Sequence, residues 1–121
     1  MAYIDGFLTP VREECKEEYL AHATVIMPMM REFGMTRMVE CWGDDVLRGQ
    51  QTDFYRAVAS EEGESVVFSW IEWPDKAARD AGWARMMEDP RMKDMAAPPF
   101  DGKRLIYSGF QPIFDSAGEM A

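Results

Sequence analysis

An α+β sandwich, with one antiparallel sheet carrying two helices on one face, is the fold class this sequence predicts, and three observations predict it. Tyr3–Leu8, Met35–Trp42 and Val66–Trp73 read as strands, the second by alternation of apolar and polar residues. Between the first two of these, Cys15, Tyr19, Ala23, Ile26 and Met30 recur at steps of three or four, as on one side of a helix. A second helical stretch after Trp73 completes the order β-α-β-β-α-β, which puts both helices on the same side of the sheet.

The first strand is expected over Tyr3–Leu8, with Pro10 ending it. Helical spacing starts near Glu13. Glu13, Glu14, Glu17 and Glu18 crowd the first turns, where they complement the helix dipole, and Gly34 supplies a C-terminal cap. Pro28 removes a backbone donor inside this helix and predicts a kink or an irregular turn. Met35–Trp42 gives the second strand, followed by a polar stretch, "GDDVLRGQQTD", too long for a tight hairpin. Phe54–Ala59 reads as a further strand, turned by "SEEGES" into a hairpin with Val66–Trp73. Asp75 is an N-cap for a helix from Lys76 to about Glu88. Asp89-Pro90 repeats the signal, a cap followed by proline at the first helical position, for a short helix over Arg91–Met95. "LIYSGFQPIF" is the last extended segment, and "DSAGEMA" is a fraying tail.

At 121 residues the chain is expected to be one domain, 1–121, that buries about two thirds of its unfolded surface. Lys and Arg number 13 against 22 Asp and Glu, a formal charge of −9. A field of that sign repels phosphate backbones and anionic lipid, so neither nucleic acid nor membrane is an expected partner. No apolar run approaches the ~20 residues of a membrane helix. "MAYIDGFLTP" lacks the basic start and apolar stretch of a signal peptide. Cys15 and Cys41 form no C-x-x-C pair, and His22 is the only histidine, so no zinc set is spelled out and no cofactor is expected. Free thiols in the cytoplasm follow, with Cys41 expected as a small buried core residue.

"SVVFSWIEWPD", Ser65–Asp75, is apolar on both of its faces. Two helices cover one face of a sheet; the other should then be polar, and it is not. Tyr3, Phe7, Met38, Trp42, Phe68 and Trp70 are read as one row of large residues, with Ile4, Leu8, Val39, Cys41, Val67 and Ile71 as the other. An uncovered apolar face of roughly 600 Å² per subunit, at about 25 cal/mol per Å², is worth roughly 15 kcal/mol before association costs. The simplest cover is a second copy related by a two-fold axis, so a homodimer is expected.

"YIDGF", "VECWGDDV", "TDF", "VVFSWIEWPDKAARD", "MMEDPRMKD", "PFDGKR" and "YSGF" together resemble the YbaA-like family of small bacterial proteins of unknown function, from Tyr3 to about Phe114. The resemblance implies a ferredoxin-like fold of the dimeric α+β barrel superfamily, in which two sheets pack face to face. It carries over no catalytic residue and no activity.

Within that frame, Asp5, Glu40 and Glu72 share the parity of the large row and would lie between the two sheets. Burial there raises a carboxyl pKa and poises it for acid–base work. The plainer alternative pairs Asp5 and Glu40 with Arg37, Arg56 or Arg104, and leaves Glu72 at a strand end. His22, beside the apolar stripe of the first helix, is a further candidate, set against an ordinary boundary histidine. Trp42, Trp70, Trp73 and Trp83 are candidates to line an aromatic ligand pocket, with Tyr3, Phe7 and Phe68 as further binding candidates, or else these residues are core and interface. Arg91, Lys103 and Arg104 are candidates to bind a small anion at a barrel mouth. Three functional classes result: a dimeric barrel protein that binds a small apolar or aromatic molecule; an enzyme of the cofactor-free monooxygenase or isomerase type, which the superfamily resemblance alone implies, using one of the buried acids or His22; and an RNA-associated protein. The last rests on a label borne by some family members, and the net charge opposes it.

Overall fold

The computed structural model describes residues 2–95 and 97–117. Four strands, β1 (Tyr3–Arg12), β2 (Arg37–Trp42), β3 (Glu64–Trp73) and β4 (Ile106–Phe110), form one sheet in the order β2-β3-β1-β4. Every neighbouring pair is antiparallel. The helices are α1 (Lys16–Glu32), α2 (Phe54–Ala57), α3 (Lys76–Glu88) and α4 (Pro90–Lys93), with a 3₁₀ turn over Glu13–Cys15 leading into α1. None is long and apolar enough to cross a membrane among the described residues.

The caps fall where the sequence puts them. Asp75 accepts the backbone N–H of Ala78 at 2.7 Å to start α3, and Asp89, followed by Pro90, accepts that of Arg91 at 2.8 Å to start α4. Gly34 ends α1 at φ 109°, its N–H bonded to the Arg31 carbonyl, while Met35 N–H reaches back to Met30. α1 runs on through Pro28.

Three expectations need correction. Phe54–Ala59 is not a strand. Asp53 accepts the N–H groups of Arg56 (2.8 Å) and Gly49 (3.1 Å), so a capped helical turn forms, and the antiparallel neighbour of β3 is β2. Removing that segment leaves the β-α-β-β-α-β order intact. Pro10 does not end β1, which continues to Arg12. β4 pairs only with Ile4–Leu8, so beyond Leu8 one side of β1 is an edge that tolerates a missing donor. The short helix after Asp89 ends at Lys93 rather than Met95.

The register also corrects the assignment of faces. Tyr3, Asp5, Phe7, Thr9 and Val11 of β1 align with Trp73, Ile71, Ser69, Val67 and Ser65 of β3, and Met38, Glu40 and Trp42 align with Ile71, Ser69 and Val67. This side carries the core: Met29 and Met30 of α1 and its C-cap Phe33 pack with Met35, Ile71 and Trp73, and Val11, Tyr19 and Val67 form a second cluster. Phe68 and Trp70 lie on the opposite side with Ile4, Leu8, Val39, Cys41, Ile106 and Phe110. They do not form one row with Tyr3 and Phe7. Alternation fixes parity within a strand, but only the register fixes how strands are phased. Glu72 likewise faces away from the helices, and Cys41 is exposed rather than buried.

One end of this second face is closed by the segment between β2 and β3. Pro10, Val66 and Val58 are fully or nearly fully buried there, and Gly43 N–H bonds to the Val66 carbonyl. The rest lies open: Phe68 is 48% exposed and Phe110 59%, and Phe54 of α2 meets Phe68 edge-on.

Candidate functional site

Between the helix-facing side of the sheet and the helices lies a cavity of about 230 Å³. Its walls are Phe7, Ile26, Met30, Met38, Met86 and Phe100, with Trp83, Met92 and Leu105 contributing and Ile71 beneath. Into this apolar space the sheet presents Thr9, Glu40 and Ser69, and α1 presents Tyr19 and His22. Strand alternation places these three polar residues together: Glu40 pairs with Ser69 across β2–β3, and Thr9 lies two residues beyond Phe7, the partner of Ser69. The helical repeat brings Tyr19 and His22 to the same side, three residues apart.

The tightest polar contact is Tyr19, whose hydroxyl donates to Glu40 Oε1 at 2.6 Å. Glu40 belongs to an edge strand and stays exposed as a residue, but the groups around its carboxyl withdraw it from water and raise its pKa. Hydrogen bonds from Tyr19 and Ser69 oppose that rise without cancelling it. Burial and the facing carboxylate push the Tyr19 phenol far above its ordinary range, so it remains a donor. Burial lowers the pKa of His22, whose ring stands edge-on to Phe100 with centroids 6.1 Å apart. Tyr19, Ala23 and Glu40 also line a neighbouring groove with Lys16, Leu20 and Trp42. The Lys16 amine sits over the Trp42 ring there, 5.4 Å from its centroid.

Asp5, on the same side of the sheet, is wholly different. It is 0% exposed, yet it accepts from Trp73 Nε1 at 2.9 Å, Trp83 Nε1 at 2.8 Å and Arg79 Nη2 at 2.8 Å. Arg79 Nε adds contacts at 3.1 and 3.2 Å, and its guanidinium lies over the Tyr3 ring. Asp5 in turn holds the Arg79 pKa above its already high value. This carboxylate has no capacity left for a ligand; it ties β1, β3 and α3 together.

The remaining candidates are scattered. Glu72 accepts from Trp70 Nε1 at 2.9 Å and from Arg37 at 3.4 Å on the open face. Trp42 faces the groove rather than the cavity, and Tyr3 packs at the Asp5 end. Arg91 is bound to Glu32 and Asp89, and Arg104 to Glu64 and Asp101, so their charge is already matched. Lys103 is exposed in the turn that Asp101 closes. Of the alternative partners expected for Asp5 and Glu40, Arg37 serves Glu72, Arg56 lies beside its own cap Asp53, and Arg104 serves Glu64. The structure thus joins Glu40, His22 and Phe7 in one cavity and leaves Asp5, Glu72, Phe68 and Trp70 outside it.

Sequence reasoning missed Tyr19, Thr9 and Ser69 as site residues and Arg79 as the partner of Asp5. Thr9 and Ser69 carried a usable signal, since small polar residues at buried strand positions must find partners. Tyr19 was legible only as part of the apolar stripe of α1.

A family described as "Protein of unknown function (DUF1428)" matches residues 2–102. "Uncharacterized protein YbaA" of Escherichia coli strain K12 is 52% identical over 116 residues, which span 95% of this chain and 99% of that protein. The protein of the same name from Shigella flexneri matches equally. Among solved structures, a dimeric ferredoxin-like protein from an uncultured marine organism covers 90% of this chain and 91% of its own, with a TM-score of 0.53 and 9% identity. At that identity the likeness establishes the fold, which is ferredoxin-like.

Proposed function

This chain belongs to that family of proteins of unknown function, and from that premise we propose that it binds a small, mainly apolar molecule between sheet and helices, as a single-domain homodimer in the cytoplasm. The cavity carries this reading. It is apolar over most of its wall and holds one cluster of convergent polar groups, the pattern of a small-molecule site. Its methionines, Met30, Met38, Met86 and Met92, adapt to a guest more readily than branched side chains would. The dimer is supported by the open apolar face with Phe68, Trp70, Ile106 and Phe110, and by the description of the ferredoxin-like neighbour as dimeric. The cytoplasm is supported by two free thiols in a chain with no membrane-crossing helix among its described residues.

The cavity reading is tested by titrating the protein with 2-naphthol while following its methionine methyl resonances. The methyls of Met30, Met38, Met86 and Met92 should shift together and saturate, and Ile26→Trp, which fills the space, should abolish the response. Unshifted methyls at millimolar probe would refute the reading. Sedimentation at micromolar concentration tests the dimer: a 13.9 kDa species would remove it. Phe68→Glu should yield monomers or unfolded chain, because a dry interface cannot hold an unpaired charge.

One observation favours a second reading, a proton-transfer enzyme that works without a cofactor. Glu40 lines both the cavity and the outer groove, so a proton taken from a guest has a path to water. Deuterium exchange at C1 of 2-tetralone, read by NMR, tests it. Exchange no faster than in buffer would leave the binding reading alone.

A further inference from the structure

Resting on the cavity reading, we infer that the guest is a neutral, largely apolar ring compound that carries a hydroxyl group, and that Glu40 accepts the hydrogen bond from that hydroxyl. The sheet side of the molecule holds two inward carboxylates, and they differ in who satisfies them. Asp5 is saturated by a guanidinium and two indole N–H groups. Glu40 receives the Tyr19 hydroxyl on Oε1 and has the Ser69 hydroxyl within hydrogen-bonding reach, and among the described residues no cation pairs with it. A carboxylate has about four acceptor positions, so at least half of its capacity is open to something that is not this protein.

The same geometry selects against other ligand classes. Among the described residues no arginine or lysine lines the cavity, so a carboxylate or phosphate guest would face Glu40 with no cation to offset the repulsion. An ammonium guest would have to shed its hydration against Ile26, Met30, Met86 and Phe100 for a share in a carboxylate that Tyr19 already engages. A neutral hydroxyl loses less water and brings the donor that the site lacks. The volume, about 230 Å³, lies below the range of drug-sized pockets and suits a molecule of one or two rings.

Three probes of one shape separate the terms: 2-naphthol, naphthalene and 2-naphthoate, titrated at pH 7.5 into wild-type protein and into Glu40→Leu, each variant checked for native circular dichroism. Wild type should bind 2-naphthol at least tenfold more tightly than naphthalene, and naphthalene more tightly than 2-naphthoate. In Glu40→Leu the preference for 2-naphthol over naphthalene should fall below about threefold, with naphthalene itself bound as well or better. Naphthalene and 2-naphthol bound equally by wild type would overturn the hydroxyl inference and leave the cavity reading standing. Tightest binding of 2-naphthoate would overturn it by showing an anion site. Failure of all three probes to bind would remove the cavity reading and this inference together. Should Glu40→Leu not fold, Glu40→Gln replaces it: it keeps an acceptor but lacks the charge, so 2-naphthoate should gain at least threefold relative to wild type.

Discussion

Asp5 and Glu40 flank the same strand from opposite sides, opposite Ile71 and Ser69 respectively, and both point toward the helices. One is fully buried and fully matched; the other is crowded, poorly matched and in contact with a cavity. The difference is what separates a structural carboxylate from a functional one. A buried charge that the fold itself satisfies holds elements together, whereas a carboxylate at a cavity edge, only partly withdrawn from water and without a cation, keeps acceptor positions that a guest can take.

The largest effect should come from breaking the matched site. Asp5→Ala leaves the buried Trp73 indole donor and the half-buried Trp83 donor without their acceptor and leaves Arg79 to Asp80 alone, and should cost about 2–4 kcal/mol. Urea denaturation measures it; a loss under 1 kcal/mol would show that the network is not what holds α3 to the sheet. A smaller effect is expected from Gly82→Ala. A methyl group there would meet the Trp73 ring at 2.5 and 2.7 Å and the Phe33 carbonyl at 2.8 Å, so the indole that serves Asp5 must move. Overpacking of this kind costs about 1–3 kcal/mol. Combining it with Asp5→Ala should give less than the sum, since both act through Trp73.

The contrast explains which parts of the molecule were legible. Caps at Asp75 and Asp89, the stop at Gly34 and the stripe of α1 depend on neighbours in sequence, and they are read correctly. Asp53 was a cap of the same kind, but Phe54–Ala59 is too short for periodicity to tell one helical turn from a strand. The faces of Phe68 and Glu72 depend on strand register, which no single strand reports. The fates of Asp5 and Glu40 depend on Arg79 and Tyr19, 74 and 21 residues away, so their residue type foretold a partner without saying which. The doubly apolar β3, by contrast, announced an uncovered face directly, because its surplus of apolar residues needs no register to be counted.

Glu40→Gln sharpens the comparison from the other side. The amide oxygen can still accept from Tyr19, and no ion is left crowded against the cavity, so stability at pH 7.5 should hold within about 1 kcal/mol or rise. The pH dependence follows from the raised pKa. The folded state binds this proton more tightly than the unfolded chain does, so the Glu40 contribution improves as pH falls through its folded value and is complete below the ordinary carboxylate range. Glu64 and Asp101 act oppositely: hydrogen bonds from Arg104 lower their pKa values, and their contribution is lost on acidification. Subtracting the Glu40→Gln profile from that of wild type isolates the Glu40 part, and a difference that worsens with acid would refute its assignment as the unsatisfied carboxylate.

The smallest effect belongs to His22, on the α1 side of the same cavity. Burial lowers its pKa, so the fold prefers the neutral ring, and the unfolded chain takes up the proton first as pH drops. Its contribution is therefore fully present above the ordinary value of about 6.5 and shrinks as pH falls from there toward the lowered folded value. Glu40 gains on acidification, so the two groups contribute with opposite signs. His22→Phe keeps an aromatic ring against Phe100 and removes the titration. As pH falls from 7.5 to 4, thermal melts of His22→Phe should gain on wild type, whereas those of Glu40→Gln should lose ground to it. If both variants move in the same direction, the two groups do not carry opposite protonation preferences, and the cavity lacks the pairing of an acceptor with a neutral ring.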